Sequence, residues 1–259
     1  MLLAVDIGNT EITIGIFSGD DLDAHWRLTT NPDRTPDEWG VALGAFLVNA
    51  GHSPNEVRAC VLASVAPGAT RAVVDGIIAA TGCQVTIIDS RTPLPVTLDV
   101  DEPLSVGADR IVNALAAAAR YQSDVVVVDL GTATTFDCIT KDCRFIGGAI
   151  MPGLRTSADQ LTRKAAKLPA TELTPPTRAI GRRTEECIQA GVLFGAADAI
   201  DGMIRRIRAE WPGGGRPRAV ATGGLAVLVA PLCIEIDEVD RDLTLLGLRV
   251  AATHLRLGA

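Results

Sequence analysis

One short pattern occurs twice, nearly half a chain apart, and it restricts the fold more than any other feature. Val5-Asp6-Ile7-Gly8-Asn9-Thr10 and Val128-Asp129-Leu130-Gly131-Thr132-Ala133 each close an apolar run with Asp, one residue and Gly. Each copy reads as a strand, a glycine turn and a second strand. Solenoid repeats have units of about 20–50 residues, far shorter than this spacing. The repeat therefore predicts duplication of one α/β unit.

The pattern around each copy agrees. In the first half, segments 2–8, 12–17 and 23–30 read as strands. Thr35, Pro36 and Glu38 then form a helix start of capping-box type, with Trp39, Leu43, Phe46, Leu47 and Ala50 at helical spacing before Gly51. Segments 58–65 and 84–89 read as strands on either side of a helix at 69–80 that Gly82 closes. A Pro- and Asp-rich linker covers 91–103, followed by a helix over 107–121. The second half repeats the order. Strands are predicted over 125–130, 133–139 and 144–150, a helix over 156–166 and a projecting loop over 169–181. A long helix over 184–211, a glycine turn at 213–215, a strand over 218–221, a helix over 225–229, a short apolar run at 234–236 and a last helix over 243–257 complete the chain. The expected architecture is α/β with two domains, 1–106 and 107–259.

Composition excludes several functions. Aromatic residues are 3% of the 259, too few for base-stacking platforms, and the net charge of −7 opposes a nucleic-acid backbone. A nest of backbone N–H groups can still hold a phosphate in an acidic protein. The six cysteines contain no C-x-x-C pair and are expected as reduced thiols. No apolar stretch reaches the roughly 20 residues of a membrane crossing, and the N-terminus enters a strand directly. Together these give the expectation of a cytoplasmic protein without membrane or nucleic-acid partners.

An Asp-x-Gly-x-Thr turn after a strand brings together backbone N–H groups, hydroxyls and a carboxylate. Asn9, Thr10, Thr132, Thr134 and Thr135 can hydrogen-bond phosphate oxygens, and Asp6 and Asp129 can hold a hydrated cation such as Mg²⁺. A third feature is Ala219-Val220-Ala221-Thr222-Gly223-Gly224, a strand followed by two glycines that let backbone approach a flat ligand. Two phosphate turns and a late Gly-Gly resemble the acetate kinase, sugar kinase, heat-shock ATPase and actin superfamily. That resemblance implies two ribonuclease H-like domains with ATP in a cleft between them.

A narrower resemblance covers essentially the whole chain. Asp6 to Thr10, Gly107-Ala108-Asp109-Arg110-Ile111-Val112-Asn113, the Asp129 to Asp137 stretch and Gly147-Gly148-Ala149-Ile150-Met151-Pro152-Gly153-Leu154 are similar, in order, to the signatures of type III pantothenate kinases. Thr222 to Ala226 and Leu243 to Leu248 are similar too. The resemblance implies ATP-dependent phosphorylation of pantothenate, the first step toward coenzyme A, by a homodimer using Mg²⁺ and K⁺ or NH₄⁺. It assigns Asp109 as the catalytic base. It assigns ATP contacts to Asp6, Ile7, Gly8, Asn9, Thr10, Glu11, Ile12, Thr13, Thr132, Gly223 and Gly224. Pantothenate contacts fall to Val100, Gly107, Ala108, Asp109, Arg110 and Thr184, the last across the dimer interface. Asp6 is implied to hold Mg²⁺ through water and Asp129 a monovalent cation. With a reference pKa of about 3.9, a free Asp109 would be a weak base.

Three positions depart from the family: Val100 where Tyr is common, Ser105 where Glu is common, and Arg183 where Asn precedes the contacting Thr. Glu11 also places like charge near a triphosphate. A superfamily kinase with another small alcohol acceptor, or a non-catalytic nucleotide-binding regulator, therefore stands as the alternative.

Overall fold

The computed structural model describes residues 1–258. In chain order the elements are β1 (Leu2–Ile7), β2 (Glu11–Ser18), β3 (Asp21–Thr29), α1 (Pro36–Asn49), β4 (Ala59–Ser64), α2 (Pro67–Thr81), β5 (Gln84–Ile88), β6 (Thr97–Leu98), α3 (Ala108–Tyr121), β7 (Val125–Leu130), β8 (Ala133–Ile139), β9 (Arg144–Pro152), α4 (Leu154–Lys164), α5 (Thr184–Ala209), β10 (Arg218–Thr222), α6 (Ala226–Val229), β11 (Glu238–Val239) and α7 (Leu243–His254). The chain packs as two units. One holds residues up to Ala119 and those from Leu243 onward, and the other holds Arg120–Asp242.

In the first unit the strand order is β3-β2-β1-β4-β5. β1 runs antiparallel to β2 and parallel to β4, β2 antiparallel to β3, and β4 parallel to β5. In the second unit β9-β8-β7-β10-β11 repeats that order with the same directions at each pairing. The duplication read from the two Asp-x-Gly turns is thus a duplication of topology. Each unit is a ribonuclease H-like α/β layer with its core on the central strands.

Local chemistry explains the elements. β7 opens with four consecutive buried valines, Val125 to Val128, the near-continuous apolar run of a strand in the middle of its sheet, with Val126 and Val128 packed in one core with Leu193 and Ile200 of α5. Each such side chain contributes about 1.5–3 kcal/mol by leaving water. β3 lies at the edge and alternates exposed with half-buried positions. α1 begins with the predicted capping box: Glu38 N–H donates to Thr35 Oγ1 at 3.3 Å and Thr35 N–H donates to Glu38 Oε2 at 2.7 Å. Reciprocal satisfaction of two end groups fixes that start. α2 ends at Gly82, whose φ of 67° is left-handed.

Some expectations change. The linker-based division at 106/107 differs from the packing division, which keeps α3 and α7 with the first unit. Both helices lay small and apolar residues inward: Ile111, Val112 and Ala114 to Ala117 on α3, Leu245, Leu248 and Ala251 on α7. Thr244 Oγ1 also donates to Asn113 Oδ1 at 2.8 Å. The 234–236 run is not a strand, and pairing with β10 begins at Glu238. The expected glycine turn at 213–215 is present, with Gly213 and Gly214 at left-handed φ of 76° and 71°.

Contrary to the composition reading, α5 is long and apolar enough to cross a membrane. It is a core helix of the second unit, with Leu193, Ala197, Ile200 and Ile204 buried. Its buried Asp201 accepts the backbone N–H groups of Ile234 at 2.8 Å and Glu235 at 2.9 Å, a fixed protein partner for a charge that lipid would penalise.

Candidate active site

In the first unit β1 ends in the tight turn Gly8-Asn9-Thr10. Gly8 N–H closes the hairpin on Glu11 O at 2.9 Å. The turn's carbonyls are taken up by neighbours. Thr30 Oγ1 donates to Gly8 O at 2.7 Å, Thr30 N–H to Thr10 O at 2.9 Å, and Val65 N–H to Ile7 O at 3.0 Å. Asn9 and Thr10 are exposed and Asp6 is half-buried. Ile7 and Ile12 have side chains fully inside the core. Those two expected ATP contacts therefore expose no surface to a ligand in this structure. Glu11 is exposed, and Arg27 across the hairpin lies 3.6 Å from it. That pairing offsets the like charge expected against a triphosphate.

Asp109 stands at the same edge of this unit, in the first turn of α3. A Cβ added to Gly107 would lie 2.6 Å from Asp109 Oδ1 and 3.6 Å from Val65 Cγ1. The carboxylate therefore folds back over the glycine, beside the residue that locks the β1 turn. Any larger residue at 107 would displace it. Asp109 Oδ1 accepts the Arg110 N–H at 2.8 Å. Burial pushes the Asp109 carboxyl above its ordinary 3.8, outweighing the opposing Arg110 N–H and guanidinium. The environment thus makes Asp109 a stronger base than the free side chain considered from sequence.

The second unit builds its edge differently. Gly131 N–H closes the hairpin on Ala133 O at 3.0 Å. Thr132, exposed, has its carbonyl taken by Gly153 N–H at 3.1 Å and Thr156 Oγ1 at 2.7 Å. Leu225 N–H donates to Leu130 O at 3.2 Å. Gly223 has φ 89°, and an added Cβ would overlap Asp129 Oδ1 and approach Leu130 N to 2.8 Å. Gly223 is thus required both by its backbone angle and by the closeness of the Asp129 carboxylate. A Cβ on Gly131 would be 3.7 Å from the same oxygen. The two glycines let the backbone of both turns lie close to the Asp129 carboxylate. Gly224 beside them is exposed.

Contacts link some of the expected residues: Gly107 lies beside Val65, whose N–H holds the Asp6 turn, and Gly131 and Gly223 lie beside Asp129. Val100 is half-buried just after β6. Thr184 opens α5 on the wall of a cavity of about 610 Å³, shared with Thr134, Met151, Leu154, Ser157 and Ile188. Sequence reasoning missed Thr30, Val65 and Thr156, which brace the turns from other elements. The only signal for Thr30 and Thr156 was a hydroxyl residue near a strand or helix end, and Val65, which acts through its backbone N–H, gave none. Among the described residues no three His, Cys, Asp or Glu side chains cluster as metal ligands. A divalent ion here would depend on one carboxylate, water and phosphate oxygens, which is how Mg²⁺ is commonly held.

Duplicated α/β units with a glycine turn and Asp at each strand end define a kinase-type fold, a phosphotransferase scaffold. Solved structures agree at the level of fold. A Campylobacter jejuni protein named for the Baf family of transcriptional activators superposes with a TM-score of 0.60 at 18% identity, covering 98% of both chains. A ROK hexokinase of Thermus thermophilus does so at 0.50 and 15%, again over 98% of both. The sequence narrows the class. The family model for type III pantothenate kinase matches residues 2–206. The type III pantothenate kinase of Thermomicrobium roseum is 45% identical over 261 residues, covering all of both chains. That of Moorella thermoacetica is 43% identical over 250 residues, 96% of this chain and 98% of its own. The chain belongs to the type III pantothenate kinase family.

Proposed function

We propose that the protein transfers the γ-phosphoryl group of ATP to the primary hydroxyl of pantothenate, the first step toward coenzyme A. The observation that carries this reading is the Asp109 carboxylate. It is half-buried, pinned over Gly107, and set at the strand edge that also presents the Asp6 turn. Phosphoryl transfer needs mainly positioning and charge stabilisation, with one group to orient the attacking hydroxyl and accept its proton. Asp109 fills that role, and its raised pKa improves it as a base. Asn9, Thr10 and Thr132 present hydroxyl and amide groups to the phosphates, and Gly223 and Gly224 give close backbone approach for the adenosine. Asp6 would hold Mg²⁺ through water, and Asp129, flanked by the Gly131 and Gly223 turns, would hold K⁺ or NH₄⁺. These cations supply charge neutralisation at the phosphates when bound. Gly107, Ala108, Arg110 and Val100 form the acceptor side, with Arg110 matched to a carboxylate or phosphate.

We read the enzyme as a homodimer working in the cytoplasm. The open apolar cavity beside Thr184 and the exposed Leu161 on its wall favour a protein partner on that face. Free cysteines throughout suit a reducing compartment.

The test is turnover by purified protein with ATP, Mg²⁺ and K⁺, comparing pantothenate with a panel of small alcohols. Pantothenate is expected to be phosphorylated and Asp109→Asn to lose at least about a hundredfold in kcat. Folded protein that phosphorylates another alcohol and leaves pantothenate untouched would reject the acceptor. ATP binding with no transfer to any acceptor would reject the enzyme.

A further inference from the structure

Residues 165–183, between α4 and α5, contain no helix or strand. Loops longer than about 12–15 residues without secondary structure are uncommon in compact domains and are often functional. This one is rich in cations, with Lys167, Arg178, Arg182 and Arg183 against a single acid, Glu172. It ends at Thr184.

The loop is tied to the first turns of α5 at two places. Glu186 accepts three hydrogen bonds. The Arg182 backbone N–H reaches it at 2.8 Å, Arg183 Nε at 3.0 Å, and an Arg178 guanidinium nitrogen at 3.1 Å. One turn further, Gln189 Nε2 donates to Glu172 O at 2.8 Å and to Thr174 Oγ1 at 2.9 Å. Between the ties the loop backbone presses on the helix start, where a Cβ on Gly181 would come within 2.6 Å of Cys187 N. Glu186 therefore gathers a main-chain group and two side chains from three loop positions onto one carboxylate.

We propose that Glu186 is a positioning residue that straps the 165–183 loop to α5 and so fixes the backbone leading into Thr184 for acceptor binding. This rests on the kinase reading above, in which Thr184 contacts pantothenate. Glu186 touches no substrate in this account and acts through Arg182, Arg183 and the chain that enters Thr184. The same bonds take up the charge of Arg183, one of the three positions named above as departures. The Arg182 N–H, then Arg178 and Arg183, hold the Glu186 carboxyl down at about 2 from its ordinary 4.5, so it stays ionised at any assay pH near neutrality. Charge-assisted bonds from guanidinium to carboxylate are the stronger kind, although solvent exposure weakens them here.

The test compares the full-length protein with Glu186→Gln and Glu186→Ala, by kinetics and by limited trypsin cleavage at Arg178, Arg182 and Arg183. Glu186→Ala is expected to raise KM for pantothenate about fivefold, with Glu186→Gln intermediate because it keeps an acceptor for the Arg182 N–H. KM for ATP and kcat are expected to stay within about twofold, and melting within about 2 °C, since the side chain lies at the surface. Cleavage in the loop is expected to accelerate about tenfold in Glu186→Ala. Cleavage at the wild-type rate would overturn the strap. Faster cleavage with unchanged KM for pantothenate would overturn its role in acceptor binding. A wild-type protein that does not phosphorylate pantothenate would instead strike the kinase reading, while the cleavage comparison would still decide whether Glu186 holds the loop.

Discussion

The two units share a topology but not a working edge. In the first, the chain leaving β4 continues through Val65 and Ala66 into α2, and Val65 N–H caps Ile7 O. In the second, the chain leaving β10 passes Gly223 and Gly224, and Leu225 N–H caps Leu130 O in the equivalent way. The cap is preserved while the residues delivering it differ. Ser64 in the first unit bonds inward, with its Oγ 2.6 Å from Thr70 Oγ1 and accepting the Ala66 N–H at 3.2 Å. That helix start satisfies itself. The glycine pair in the second unit instead brings backbone against Asp129. Duplication thus supplied one frame, and substitution after its fourth strand separated the tasks. In the function proposed above, the first edge carries the base, Asp109, and the second serves the cation and the flat ligand.

The largest effect expected from breaking this contrast is at Asp109. Asp109→Asn should lose activity at least about a hundredfold and yet stabilise the protein near pH 7. The sign follows from linkage. A carboxyl raised by burial contributes its stability below its unfolded pKa of 3.8 and loses it as pH rises through the raised folded value. Removing the charge therefore helps at neutral pH, and the difference in melting temperature between variant and wild type should shrink toward pH 3.8 and below. Melting curves across pH check this, together with an acid limb of kcat/KM lying above that value.

Next comes Gly223→Ala. Its φ of 89° and the overlap with Asp129 should cost about 2–4 kcal/mol and remove protection by ATP in thermal melts. Val65→Ala, the counterpart in the first unit, should cost about 1 kcal/mol and leave ATP protection in place. The braces are expected to matter less. Thr30→Val and Thr156→Val should each raise KM for ATP about three- to tenfold, by the roughly 1 kcal/mol of a lost hydrogen bond. Unequal effects would mean the two turns hold the phosphates unequally. Smallest is Arg27→Ala, which leaves Glu11 uncompensated. It should raise KM for ATP about twofold at low salt, with the difference fading as salt is added.

The sequence disclosed much of this because the informative signals were local. The β7 valines, the Thr35–Glu38 capping box and Gly82 each report on neighbours within a few residues. What escaped depends on contacts between distant segments. Nothing in residues 107–121 announces that α3 packs with α7 in the first unit, because alanine-rich faces accept many partners. The pairing of Glu11 with Arg27 requires the β2–β3 register, and the brace from Thr30 requires the end of β3 to lie over Gly8. The raised pKa of Asp109 was hidden for the same reason. It comes from burial beside Gly107 and Val65, and chain spacing does not encode burial. The short apolar run 234–236 forms no strand, since Asp201 already holds the Ile234 and Glu235 N–H groups, and pairing with β10 starts at Glu238.

Backbone amide exchange at residues 8–10 and 131–132, followed by mass spectrometry while Mg·ATP is titrated, tests most directly whether the duplicated turns serve one nucleotide. The account predicts that both segments slow together with a single midpoint. Slowing of one turn while the other exchanges as in free protein would contradict it.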